Sequence, residues 1–157
     1  MKKQFFFLLL CSFSLLFSQE KTIIKGAEIT IPIGKKLILN PKIVDGKFES
    51  FDLKKEEDIK ETLNMMSFLT SFEKDNKVDN RIEINFSKAT MGTSESYILY
   101  MIQKTGKKLT YKAKIRLKDS EIYAPTSIVP VVSNAASFEQ WRNNIDSIFL
   151  YDFVLEK

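Results

Sequence analysis

The sequence predicts a mainly β protein whose antiparallel sheet is sandwich-like or strongly curved and has about seven or eight strands. Apolar and polar residues alternate with a period of two in three stretches, which is typical of strands that bury one face. The apolar positions are Ala27, Ile29 and Ile31; Ile82, Ile84 and Phe86; and Leu109, Tyr111, Ala113, Ile115 and Leu117. A tight-turn signal and an apolar C-terminal stretch add further strands. The class α+β is the alternative, because two other stretches carry a helical pattern.

Two hairpins and a closing strand account for most of the predicted sheet. The first hairpin runs from about Leu37 to Phe51 and turns at Asp45-Gly46, a pair that tolerates positive φ angles. The second is expected to join strands over 97–103 and 109–118, with Gly106 in the left-handed conformation. Residues 97–102 are apolar on both faces, which indicates a central strand. The closing strand is predicted from Ile148 to Leu155, a run dense in aromatic and branched residues.

Two helices are predicted beside the sheet. The longer runs from about Leu53 to Phe72 (53–72), follows Asp52 as a candidate N-cap, and is expected to cover one face or edge of the sheet. Its apolar stripe consists of Ile59, Leu63, Met66, Leu69 and Phe72. A short helix over about 138–146 is indicated by the capping box at residues 137–140.

The N-terminus has the layout of a secretory signal peptide over residues 1–18. Lys2 and Lys3 precede an apolar run of about a dozen residues, and the composition turns polar at Ser18. Such a run spans roughly 18 Å as a helix, whereas the hydrocarbon core of a bilayer is about 30 Å thick. We therefore expect cleavage near Ser18, a secreted or periplasmic product, and no transmembrane helix in the mature form. Lipid attachment at Cys11 is not expected, because the small residue that a lipoprotein cut requires does not precede it.

Residues 19–157 are predicted to form a single globular domain, because no linker, repeat or long charge block interrupts them. Cleavage removes the only cysteine and two of the 24 basic residues, so the net charge falls from +4 to about +2. A charge this small is a weak signal for an anionic partner. We expect no nucleic-acid binding.

The absence of histidine, and of cysteine from the mature chain, excludes several classes of enzyme. Ser-His-Asp and Cys-His systems need an imidazole base, and zinc sites draw mainly on imidazole and thiolate. We expect no catalytic residues, no metal site and no cofactor. A small enzyme that uses carboxylates or a tyrosine stays open as an alternative, because sequence does not establish the separation of a carboxylate pair.

One candidate binding feature is a basic stripe on the predicted strand over 109–118. Its members are Lys112, Lys114, Arg116 and Lys118, which would share one face at intervals of about 6.7 Å. A phosphate-rich polymer, an anionic glycan or a lipid headgroup surface fits such a stripe, with Tyr97 or Tyr100 adding ring contacts. The alternative is a solvated sheet face on which Glu83 or Glu121 pairs with these cations locally.

The second candidate feature is Trp141, which stands beside Arg142, Asn143 and Asn144 and is the candidate exposed aromatic platform. The other aromatic residues of the C-terminal region, Phe149 and Tyr151 among them, alternate with aliphatic residues and are expected in the core. Together these patterns predict an exported, non-catalytic domain that binds a partner protein or an envelope component of unknown identity. An inhibitor or immunity-type protein is a further alternative, and no pattern separates it from a binding module.

Overall fold

The computed structural model describes residues 20–65, 78–91 and 93–156, and these residues form a mainly β, antiparallel protein, as predicted. Eleven strands are present where seven or eight were expected. They are β1 Ile23–Lys25, β2 Glu28–Pro32, β3 Lys35–Val44, β4 Lys47–Asp58, β5 Leu63–Asn64, β6 Ile82–Met91, β7 Ser94–Gln103, β8 Lys108–Leu117, β9 Tyr123–Thr126, β10 Ala136–Trp141 and β11 Ile145–Glu156. The predicted signal peptide, residues 1–18, lies outside the described residues.

All strands belong to one sheet with the order β1-β2-β11-β4-β3-β6-β7-β10, and β8 continues from β11 to β9. Every pairing is antiparallel except the short parallel pair of β5 with β6. Strand β11 is the junction of the sheet. It pairs with β8 along one edge, and along the other edge first with β2 and then, at Val154, with β4.

One hydrophobic cluster collects the inward side chains of nearly the whole sheet. It joins residues of β2, β8 and β11 with residues of β3, β6 and β7, which lie far apart in the strand order. A flat sheet cannot bring those strands around one core, so the sheet curves about this cluster. Ile29 and Ile31 of β2 and Leu37 and Leu39 of β3 are fully buried within it.

Several local predictions are confirmed. The three alternating stretches fall in β2, β6 and β8, except that Ala27 precedes β2. The apolar positions from Ile29 to Ala113 are buried, whereas Ile115 is half-buried and Leu117 is exposed at the end of β8. Asp45 and Gly46 have φ angles of 51° and 77°, and they connect β3 to β4 as a hairpin. Strand β7 is central, because β6 and β10 pair with its two edges.

The predicted hairpin between β7 and β8 is wrong, although Gly106 does adopt a positive φ of 77°. Strand β8 pairs with β11 and β9 instead, so the chain turns a corner after β7. The buried Gln103 side chain holds this corner. Its Nε2 donates to the carbonyls of Lys107 at 2.7 Å and Val132 at 2.6 Å, and its Oε1 accepts from both the backbone N–H and the hydroxyl of Thr105.

The predicted helix over 53–72 is wrong in its first part, because residues 53–58 continue strand β4. Pairing with β3 decides the outcome, since Lys35 lies opposite Asp58 and its ammonium contacts both Asp58 at 2.6 Å and Glu56 at 3.2 Å. Leu63 then begins β5, and residues 66–72 lie outside the described residues. Within the part of the chain that the structure describes, no helix is long and apolar enough to cross a membrane.

The predicted short helix over 138–146 is also wrong. Residues 136–141 form β10, which pairs with β7, and β11 begins at Ile145. Ser137, the proposed cap, is instead a buried strand residue opposite Met101. Pairing of all six residues of β10 with the apolar strand β7 overrides the local capping signal, since a short isolated helix is only marginally stable.

Candidate ligand-binding face

The outward surface of β8, β9 and β11 carries a group of partly exposed aromatic residues. In β11, Ile148 and Leu150 are fully buried in the core, whereas Phe149 and Tyr151 alternate with them and are only half-buried. Phe149 lies opposite Lys114 of β8, and Tyr123 of β9 lies opposite Arg116. We call Phe149, Tyr151 and Tyr123 the aromatic platform; it does not include Trp141, the candidate platform residue that the sequence indicated.

The rings of the platform contact one another in fixed orientations. Phe149 and Tyr151 stack with centroids 5.1 Å apart and an interplanar angle of 11°. Tyr123 meets Phe149 edge-on at 6.3 Å, and its hydroxyl shares a 2.7 Å hydrogen bond with Ser147. Aromatic pairs in these two arrangements are the favourable ones, so the platform is held in place before any ligand arrives.

The basic stripe predicted from the sequence lies on the same face, with one exception. Lys112, Lys114 and Arg116 alternate with inward residues of β8, and the platform rings stand beside them. The Lys114 ammonium is 5.3 Å from the centroid of the Tyr151 ring, and the Arg116 guanidinium is 5.5 Å from that of Tyr123. Lys118 falls beyond the end of β8, in an exposed turn, and does not belong to the strand face.

Carboxylates neutralise two of the three stripe cations that remain. Lys112 contacts Asp152 at 2.9 Å, and this hydrogen bond raises the pKa of the lysine. Arg116 donates from Nε to Asp146 at 2.8 Å and contacts Glu20 at 3.1 Å; the bond to Asp146 raises its pKa as well. For Lys114, no carboxylate of the described residues lies within 4.0 Å.

The partners of the stripe are therefore not the ones that the sequence suggested. Glu83 contacts Arg81 at 3.1 Å, and the carboxylates that pair with the stripe come from β11 and from Glu20. Tyr97 and Tyr100 are buried in β7, so they add no ring contacts to the stripe. The rings that do so are those of the aromatic platform.

Trp141 does not lie with the stripe. It is half-buried at the end of β10, packs against the main core, and donates from Nε1 to the Thr126 hydroxyl at 2.9 Å. Thr126 is the partner of the buried Ala113, which places this contact toward the inner side of β8 and β9. The structure thus separates the two candidate features of the sequence.

Sequence reasoning missed Phe149, Tyr151 and Tyr123 as surface residues. The signal for the first two was present, because side chains alternate along a strand: if Ile148 and Leu150 point inward, Phe149 and Tyr151 must point outward. Because almost the whole run is apolar, the sequence pattern did not show which of its residues face inward. Nothing near Tyr123 in the sequence indicates that β9 pairs with β8.

The structure adds no support for an enzyme that uses carboxylates or a tyrosine. Three of the carboxylates that line the surface clefts, Asp58, Asp146 and Asp152, each accept a hydrogen bond from a cation. Glu20 contacts Arg116, and Glu28 lies across the strand pair from Lys25. Burial raises the pKa of the Tyr100 phenol to about 12, and it raises that of Tyr111 too, whereas a catalytic phenolate needs a lowered pKa. Among the described residues, no three His, Cys, Asp or Glu side chains cluster as metal ligands would.

A scan of protein-family models, a search of curated proteins and a search of solved structures each found no match. Functional inference therefore depends on the site itself.

Proposed function

We propose that the chain is an exported, non-catalytic binding domain that binds an acidic glycan of the cell envelope through the aromatic platform and Lys114. The observation that carries this proposal is the half-buried, mutually stacked state of Phe149 and Tyr151 on an outward sheet face. Large rings are usually buried, so a contiguous set of partly exposed rings favours a binding surface.

The chemistry of the face favours a carbohydrate over a simple polyanion. Phe149 and Tyr151 stack on each other with centroids 5.1 Å apart, so their outward edges form a short apolar strip that the C–H face of a pyranose unit can contact. Two of the stripe cations are neutralised by Asp152 and Asp146, so charge alone gives the face little attraction for a polymer. Lys114, held over Tyr151, remains to pair with a ligand carboxylate. A nucleic acid, which binds mainly through its phosphates, fits this face poorly.

Calorimetric titration with polygalacturonate, and with neutral dextran for comparison, tests the proposal. We expect polygalacturonate to bind and Tyr151→Ala to weaken its binding about tenfold, the effect of losing roughly 1.4 kcal/mol of ring contact. Lys114→Gln is expected to weaken polygalacturonate binding as well. Lys118→Gln is the matched control, because Lys118 is an exposed lysine off the strand face.

An unchanged melting temperature is required of each variant, so that lost binding reports the surface and not the fold. Equal affinities of the parent chain and Tyr151→Ala would show that the platform does not bind this polymer. If Lys114→Gln and Lys118→Gln weaken polygalacturonate binding equally, the interaction depends only on the net charge of the protein, and this would also contradict the proposal.

A further inference from the structure

A cleft opens where strand β11 changes partners. On its β2 side, pairing ends at Leu150, which lies opposite Ile29, and pairing with β4 resumes only at Val154, opposite Lys47. The chain bulges between these points, and Asp152 adopts a positive φ of 54°. The sheet is therefore split between β2 and β4 for the length of the bulge.

The floor of the split is an aromatic cluster of the core, and only a small part of each ring is exposed there, since Phe48, Tyr111 and Phe153 are 9%, 7% and 5% exposed. The Phe153 ring lies 5.7 Å from Phe48, 4.9 Å from Phe51 in an edge-on contact, and 5.5 Å from Tyr111 in a stacked one. Phe48, Tyr111 and Phe153 line the cleft, which has a volume of about 790 Å³. That volume lies in the range of about 300–1,000 Å³ that is usual for small-ligand sites.

The charged residues of the cleft leave a net charge of one positive unit. The cleft is lined by three cations, Lys25, Lys47 and Lys112, and by two carboxylates, Glu28 and Asp152. Lys112 is already paired with Asp152 at 2.9 Å. No carboxylate in the described part of the chain lies within 4.0 Å of the ammonium of Lys25 or Lys47. Two lysines at the cleft are thus available to a ligand with a single negative charge.

From this geometry we infer that the cleft binds a free long-chain fatty carboxylate. The acyl chain lies against Phe48, Phe153 and Val154, and the carboxylate is held by Lys25 and Lys47. The apolar lining supplies the chain site and the unpaired ammonium groups supply the head-group site, so both parts of the ligand are matched. None of the three platform rings lines the cleft, although the stripe residue Lys112 does, and the inference does not rest on the proposed glycan function.

Titration with tetradecanoate, followed by displacement of the fluorescent fatty acid cis-parinarate, tests the inference. We expect saturable binding at one site, and each two methylenes removed from the chain should weaken it, by as much as about fifteenfold for methylenes that the cleft buries completely. Tetradecanol, which has the chain without the charge, should bind at least about tenfold more weakly.

Variants at the mouth separate this site from unspecific adsorption. Lys47→Gln should weaken tetradecanoate binding about tenfold, and Val154→Asp, at a side chain that is 48% exposed, should abolish it without unfolding the protein. Lys118→Gln is the control and should leave binding unchanged. Affinity that ignores chain length, or an equal effect of Lys47→Gln and Lys118→Gln, would overturn the inference. So would binding to phosphatidylglycerol vesicles without binding to tetradecanoate.

Discussion

At the scale of single residues, Lys35 is a buried charge that two carboxylates hold. Its side chain is 9% exposed and contacts Asp58 at 2.6 Å and Glu56 at 3.2 Å, which fixes the far end of β4 against β3. Breaking a fully buried pair costs about 3–5 kcal/mol. Because both carboxylates remain partly exposed, we expect Lys35→Met to lower the free energy of unfolding by about 1–2 kcal/mol. Urea denaturation measures this, with the exposed Lys36→Met as a control that should change stability by less than about 0.5 kcal/mol.

The contribution of Lys35 should also depend on pH in a defined direction. The hydrogen bond to Asp58 raises the pKa of its ammonium above the ordinary 10.5, so the folded state holds this proton more tightly than the unfolded state does. The stabilisation is therefore complete below pH 10.5 and is lost as the pH rises through the higher folded-state pKa. Between neutral pH and pH 10.5 the stability difference between the parent chain and Lys35→Met should stay constant, and it should shrink above pH 10.5. A difference already lost at pH 8 would contradict this assignment.

At the scale of elements, two adjacent residues of strand β11 test which of its side chains face the core and which face outward. Ile148 is fully buried, so Ile148→Ala should cost about 2–5 kcal/mol. Phe149→Ala removes a larger side chain but leaves no enclosed cavity, so it should cost less. Thermal denaturation of the two variants shows which one loses more stability. A larger loss of stability in Phe149→Ala than in Ile148→Ala would show that the platform belongs to the core.

The corner after β7 depends on Gln103. Gln103→Leu keeps the volume but leaves the Thr105 N–H and the carbonyls of Lys107 and Val132 without their partner. Each buried polar group left unpaired costs about 1–3 kcal/mol, so we expect the free energy of unfolding, measured by chemical denaturation, to fall by at least about 2 kcal/mol. Gln140→Ala, at an exposed position of β10, is the matched control and should be nearly neutral. If Gln103→Leu leaves the free energy of unfolding unchanged, other contacts hold the corner.

The elements also show how far local sequence patterns predict this fold. Period-two alternation predicted β2, β6 and β8 because one face of each strand is buried, and Asp45-Gly46 predicted its turn because few residues tolerate two positive φ angles. The stretch over 53–58 shows no alternation, since charged residues occupy both faces of β4 there, and its spacing resembles a helix. The Asp45-Gly46 turn predicts the start of the β3–β4 hairpin but not its continuation to Asp58, and the pairing of β10 with β7 is long-range, so no local pattern encodes it.

The candidate site was predictable in part for the same reason. The cations of β8 share one face because alternation is a local property, and Lys112, Lys114 and Arg116 were found in this way. Their carboxylate partners and the aromatic platform come from β9, from β11 and from Glu20, which pairing brings beside β8. A face assembled from several strands is visible only once the sheet order is known.

At the scale of the whole molecule, export is the first expectation to check. The basic start, the short apolar run and the polar change at Ser18 predict a mature chain that begins within a residue or two of Gln19. Mass spectrometry of the envelope and medium fractions measures the N-terminus directly. An exported product that retains Met1 would contradict the signal peptide.

The central claim is that ligand binding takes place on the outward face of β8, β9 and β11. Backbone amide chemical-shift mapping with an oligogalacturonate tests it most directly, because it reports every strand at once without a substitution. The largest shifts are expected around Lys114, Tyr123, Phe149 and Tyr151, with little change in β3, β6 and β7. Shifts confined to β3, β6 and β7, or none at millimolar oligosaccharide, would contradict the claim.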